Sequence, residues 1–138
     1  MYNIFTIMNI KDLTPDEKIS RIFRAIGSPT RFRILAAIGK GEACVCHLET
    51  LLNMRQAYIS QQLMELRDAE LLETRRDGRF IFYRLRDVQI LALIRLAGEI
   101  ASVELQYLEQ ISDSLPSCTC PNCDPEVPFI LNENEETN

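Results

Sequence analysis

The chain has 138 residues, 46% hydrophobic and 25% charged, with one histidine and a net charge of −5. This composition fits one ordinary globular domain with a short tail and argues against wholesale disorder. A membrane span is not expected, because the most apolar segment, 88–111, is interrupted by Arg95, Glu99 and Glu104, and the opening MYNIFTIMNIKD lacks the basic start of a secretion signal; a cytoplasmic location is expected.

Thr14-Pro15-Asp16-Glu17 combines an N-cap threonine, proline at the first helical position and glutamate three residues after the cap, and so opens a helix. Ile19, Ile22, Phe23 and Ile26 share one face of it, and Gly27 ends it. Ser28-Pro29 repeats the start signal for a second helix with Phe32, Leu35, Ala36 and Ile38 inward, closed by Gly39-Lys40-Gly41. A short helix is predicted over about 46–52, then a tight turn at Asn53-Met54. A fourth helix follows over 55–69, in which Ile59, Leu63 and Leu66 keep the buried spacing. Its other stripe carries Gln56, Ser60, Met64 and Arg67, with Ala57 and Gln61 alongside.

Residues 71–76 and 79–85 are strand-like runs separated by Asp77-Gly78, a favoured pair for a two-residue hairpin turn. From Asp87 to about Ser112 the pattern predicts a single helix of about 25 residues, about 37 Å long. It is apolar almost all round, more than a domain of this size can cover, so a second copy of the chain is expected against it. Pro116 stops that helix. The division is then 1–115, a DNA-binding and dimerisation domain, and 116–138, an acidic tail containing cysteines.

Two short helices, a tight turn and a hairpin make a helix-turn-helix with a wing: a mainly α fold with a small β-hairpin. A helix that reads base edges needs small polar side chains on its exposed stripe, which Gln56, Ser60 and Gln61 supply. Arg75, Arg76 and Arg79 at the hairpin tip suit phosphate or the minor groove, and Arg55, Tyr58 and Arg67 complete the candidate DNA-contacting set. The plainer alternative is a solvated face with a hairpin that only packs. The acidic pI of about 4.9 does not oppose DNA binding, because the charge is segregated. Residues 18–40 hold six bases and no acid, 55–86 hold seven arginines against five acids, and 113–138 hold six acids and no base.

The five cysteines fall in two groups, Cys44 and Cys46, then Cys118, Cys120 and Cys123. In an intracellular chain they are better read as metal ligands or redox thiols than as a disulfide framework. Thiolates take soft or borderline ions such as Cd(II), Pb(II), As(III) or Zn(II). The first pair can also be read as ordinary core, whereas CTCPNC sits in a proline-stiffened loop with no core to fill. On a regular helix Cys44 and Cys46 would point about 200° apart, so they can share an ion only if Cys44 lies at or before the helix start. His47 follows at about 100° from Cys46 and is read as solvent-facing or capping rather than ligating. No enzyme is expected, since one histidine and no Gly-rich phosphate loop leave no catalytic set to assemble.

AIGSPTRFRILAAI, ACVCHLETLL, RQAYISQQLMELRDAELLETRRDGRFIFYRL and the long terminal helix occur in order over about residues 22–108. The set resembles the ArsR/SmtB family of winged-helix regulators. The resemblance implies a homodimer that represses a metal-resistance operon from a palindromic double-stranded operator and lets go when an inducer binds. It places Gln56, Ser60 and Gln61 on the base-reading helix and the arginines around Asp77-Gly78 at the wing tip; Met64 departs from the basic or polar residue common there. It also makes Cys44 and Cys46 the thiolate inducer ligands. Members that bind Cd(II) or Pb(II) complete such a site from another segment, and no cysteine precedes Cys44, which leaves Cys118, Cys120 and Cys123.

The family's zinc site across the long helices needs Asp-x-His and His-x-x-Glu. This chain has Asp87-Val88-Gln89, then Ile100 and Val103, so that site is expected to be absent. No cofactor is obligatory; the inducer order is Cd(II) or Pb(II), then As(III), then Zn(II). Two rivals stand beside this reading: a redox or reactive-sulfur sensor joining Cys44 or Cys46 to a tail cysteine, and a zinc-stapled interaction module that does not bind DNA.

Overall fold

The structure, a computed structural model, describes residues 9–104 and 106–113. Cys118, Cys120 and Cys123, and the expected boundary at residue 116, lie outside the described residues. A 3-10 turn at Ile10–Asp12 precedes α1 (Pro15–Ile26) and α2 (Pro29–Ile38), then come β1 (Glu42–Cys44), α3 (Val45–Leu52), α4 (Gln56–Asp68), the hairpin β2 (Leu72–Asp77) and β3 (Phe80–Leu85), and finally α5 (Gln89–Ile100) and α6 (Gln106–Asp113).

The helix starts follow the local chemistry. Thr14 Oγ1 accepts from the Glu17 amide at 3.3 Å, while Glu17 Oε2 accepts from the Thr14 amide at 2.7 Å, a reciprocal capping box. Ser28 caps α2, with Pro29 in its first turn. Every residue of α2 from Ile34 to Ile38 is buried, so this helix forms the centre of the domain. Leu48 of α3 and Ile59, Leu63 and Leu66 of α4 close over it with no exposed surface. Each such side chain contributes roughly 1.5–3 kcal/mol by leaving water.

The sheet has three antiparallel strands in the order β1-β3-β2. Strand β1 was not expected, because three residues are too short for an alternation to be read. It exists because Glu42, Ala43 and Cys44 pair with Arg84, Tyr83 and Phe82 of β3. The hairpin turn is also one residue further on than expected. Asp77 pairs with Phe80, so the two turn residues are Gly78 and Arg79, with Gly78 supplying the positive φ of 58° at the first position.

The single long terminal helix is corrected. Helix α5 stops at Ile100, and Ser102, at φ 58°, turns the chain before α6 begins. The Val103 amide donates to the Gly98 carbonyl at 2.9 Å and the Ser102 amide to Glu99 at 3.1 Å, a Schellman stop with serine where glycine is usual. No Gly or Pro marks the break, so periodicity ran through it. Helix α6 folds back on α2, where Tyr107, Gln110 and Ile111 share a small cleft with Arg33, Leu51 and Leu52.

An apolar surface remains open. Ile19, Ile22 and Phe23 of α1 are 56%, 36% and 59% exposed, and Leu96 and Ile100 of α5 are 53% and 79% exposed. Ile22 also shares a cleft with Leu71, Ile90 and Leu93, so the two helices border one another. Among the described residues no helix is long and apolar enough to cross a membrane.

Candidate nucleic-acid interface and thiol pair

Helices α3 and α4 meet at a tight turn made possible by Asn53 at φ 51°, a conformation that asparagine tolerates better than most residues. Along α4 the apolar spacing that buries Ile59, Leu63 and Leu66 leaves Arg55, Gln56, Tyr58, Gln61, Met64 and Arg67 exposed, with Ser60 half-buried. The predicted reading stripe therefore lies on the outer side of the helix. Tyr58 is less free than its exposure implies: its hydroxyl lies 3.3 Å from Thr30 Oγ1 on α2.

Two arginines that looked like general basic surface fix this helix from behind. Arg31 Nη1 donates to Gln62 Oε1 at 3.1 Å, while its Nε and Nη2 donate to the carbonyls of Ala25 and Arg24 at 2.7 and 3.2 Å. One guanidinium thus satisfies the C-terminal end of α1 and Gln62, the only buried polar side chain among the described residues. Arg21 Nη2 donates to the Asp68 carbonyl at the end of α4. Sequence reading missed Gln62, although its place next to Leu63 on the inner face, one turn before Leu66, was a usable signal.

At the wing tip Arg76 and Arg79 are exposed and carry no ion pair among the described residues, and the Arg79 guanidinium lies 5.6 Å from the Phe80 ring. Arg75 is placed differently. It grips Glu42 of β1 with two bonds, Nε to Oε2 at 3.1 Å and Nη2 to Oε1 at 2.5 Å, and sits 4.7 Å over the Phe82 ring. Arg84 and Arg86 are also paired, with Glu73 and Glu70.

Cys44 is the N-cap of α3, in extended conformation, and its Sγ accepts from the His47 amide at 3.4 Å. This is the geometry under which the CxC pair can converge, and the two Sγ atoms lie 3.0 Å apart. Cys44 is 3% exposed and Cys46 half-buried, in a small cluster with Phe80 and Phe82. A tetrahedral ion with zinc–sulfur bonds of about 2.3 Å spaces its sulfurs about 3.8 Å apart, so the pair opens by under about 1 Å to hold one. The residues fit a two-thiolate half-site. Among the described residues no group of three potential ligands surrounds it. The His47 side chain lines a cleft of about 480 Å3 with Lys40, Leu91 and Arg95, and burial pushes its pKa below the ordinary value.

Comparison with known proteins agrees with this architecture. Residues 28–74 match the family described as bacterial regulatory proteins of the arsR family. A transcriptional repressor SmtB homologue of Synechocystis sp. is 31% identical over 86 residues, 62% of this chain and 65% of that protein. The chain thus spans just under two thirds of that relative's length. An uncharacterized HTH-type transcriptional regulator of Methanocaldococcus jannaschii is 35% identical over 85 residues, 61% of this chain and 96% of that protein. Among solved structures, that of the AntR antimony-specific transcriptional repressor superposes with a TM-score of 0.57 at 27% identity, covering 76% of this chain and 94% of AntR. With its exposed polar helix, its arginine-tipped wing and these relatives, the chain belongs to the arsR family of bacterial regulatory proteins, which are DNA-binding regulators and not enzymes.

Proposed function

We propose that this protein is a dimeric transcriptional repressor that binds a palindromic operator and is released by a thiophilic metal or metalloid ion held by Cys44 and Cys46 together with cysteines of the C-terminal tail. The observation that carries this reading is the position of the thiol pair. Cys44 caps the helix that the turn at Asn53 joins to the reading helix, and the Cys46 sulfur lies 3.0 Å from its own. A relative whose structure is that of an antimony-specific repressor supports a soft ion as inducer. The open stripe of Ile19, Ile22 and Phe23 beside α5 supports the dimer, since an isolated domain gains nothing by exposing it.

Chain length supports the tail as the source of the remaining ligands. Helix α6, which ends at Asp113, brings Ile111 into the cleft lined by Leu51 and Leu52 at the far end of α3. The five residues from there to Cys118 span up to about 17 Å, more than the roughly 12 Å length of α3. Opening the Cys44–Cys46 pair around an ion shifts the N-terminus of α3, and with it the DNA-binding elements. A coupling of about 1–3 kcal/mol between ion and operator lowers DNA affinity by roughly 5- to 150-fold.

The test is metal stoichiometry and thiolate absorption of the reduced dimer with Cd(II), arsenite and Zn(II). Cys44→Ser is expected to abolish the absorption band and Cys118→Ser to weaken it. A tail variant that binds like wild type would remove the tail from the site. Operator release by peroxide and by no metal would transfer the role to thiol oxidation, which the close sulfurs also favour.

A further inference from the structure

The outer face of the sheet links the thiol pair to the wing. Residues paired across neighbouring strands point to the same face. Cys44, Phe82 and Arg75 form one such row, since Cys44 pairs with Phe82 and Phe82 with Arg75. Glu42, Arg84 and Glu73 form the next row, two residues along and on the same face. The opposite face carries Ala43, Leu72 and Leu85 into the main core.

Phe82 is nonetheless fully buried and Cys44 nearly so, although their face looks away from that core. The Arg75 guanidinium stacked on Phe82, bonded twice to Glu42, supplies part of the cover. The sheet order gives this pair a second consequence. Strands β1 and β2 are not neighbours, because β3 lies between them. The Glu42–Arg75 bridge crosses β3 and ties the two outer strands together directly. One of these strands ends at the sensor cysteine and the other leads to the wing tip.

We infer that the Glu42–Arg75 ion pair is the element through which occupancy of Cys44 and Cys46 reaches the wing, with both side chains acting as positioning residues. This rests on the inducer reading above. Spreading the two sulfurs to hold an ion moves the junction of β1 and α3. Glu42 lies two residues before that junction, on a strand held by only three register pairs. Its carboxylate carries Arg75, and therefore β2, with it. With the bridge in place β2 follows the sensor strand directly as well as through β3; without it only the three-pair ladder of β1 on β3 carries the movement. Arg75 then serves as a strut at the base of the wing, while Arg76 and Arg79 remain at the tip to face DNA.

The test is Glu42→Gln in the full-length dimer, read on a duplex selected for binding by the wild type, with Cd(II) as the ion. Glu42 is part-exposed, so the variant is expected to fold, and thermal melting checks this. The expected result is an unchanged Cd(II)–thiolate band with the release ratio, the DNA Kd with Cd(II) over that without it, reduced at least threefold. Adding Arg75→Gln to Glu42→Gln is expected to cost no further coupling, because both changes cut the same link. A wild-type release ratio in Glu42→Gln with the band intact would overturn the inference and leave the inducer reading standing. Loss of the band in Glu42→Gln would also overturn it, by making the pair a structural part of the site. Wild-type protein indifferent to Cd(II), arsenite and Zn(II) alike would remove both readings.

Discussion

The reading helix and the wing are held by opposite kinds of force. Helix α4 is fixed by burial: Ile59, Leu63 and Leu66 have no exposed surface, Gln62 is bonded to Arg31, and the last turn is bonded to Arg21. The hairpin also has buried residues, Leu72, Phe82 and Leu85, but its outer face relies on part-exposed charge pairs, Arg75 with Glu42 and Arg84 with Glu73. Such pairs contribute about 0–1 kcal/mol and weaken in salt, whereas a packed helix resists displacement. Helix α4 is thus the fixed part of the proposed DNA surface and the wing the adjustable part. A signal from Cys44 therefore has more to move in the wing than in α4.

The largest expected effect comes from loosening the fixed part. Arg31→Ala leaves Gln62 Oε1 buried without its donor and uncovers the carbonyls of Arg24 and Ala25, and is expected to cost about 2 kcal/mol in urea unfolding. The double variant Arg31→Met with Gln62→Leu removes both partners and is expected to cost less than Arg31→Ala alone. A cost near zero for Arg31→Ala would show that α4 is not anchored there, and the contrast with the wing would fail.

The contrast also explains what was legible in the sequence. Caps, apolar spacing and the Asn53 turn are local signals, so α1 to α4 and the exposed reading stripe followed from the residues directly. Strand β1, the place of Arg75 and the end of α5 depend on partners far along the chain. Arg75 read as a tip residue because it stands beside Arg76; only the pairing of β1 with β3 brings Glu42 within reach of it. Ser102 gave no warning because serine rarely adopts the left-handed conformation that a Schellman stop requires. The thiol pair was legible as a condition, that Cys44 should precede the helix, and the structure puts Cys44 at that position.

A smaller effect is expected at the adjustable part. Arg76→Ala or Arg79→Ala removes one unpaired cation from the tip, lowers DNA affinity by about threefold to tenfold, and reduces the slope of log affinity against log salt by about 1. Arg75→Ala is expected to change that slope by less than either, because its charge is already met by Glu42. An equal slope change for all three would place Arg75 against phosphate and give it the same role as the tip.

The smallest effect is expected from His47, which lies between the two regions on the first turn of α3. Desolvation by burial lowers its pKa from 6.5, so the folded state prefers the neutral ring. The unfolded chain then binds the extra proton first as pH falls. The contribution of His47 to stability is therefore complete above about pH 6.5 and is lost as pH drops through the lower, folded-state value. In His47→Gln the urea midpoint is expected to fall less between pH 7 and pH 5 than in wild type, with the thiolate band unchanged at pH 7. A variant that also lost the band would make the imidazole a ligand and draw it away from the cleft it shares with Leu91 and Arg95.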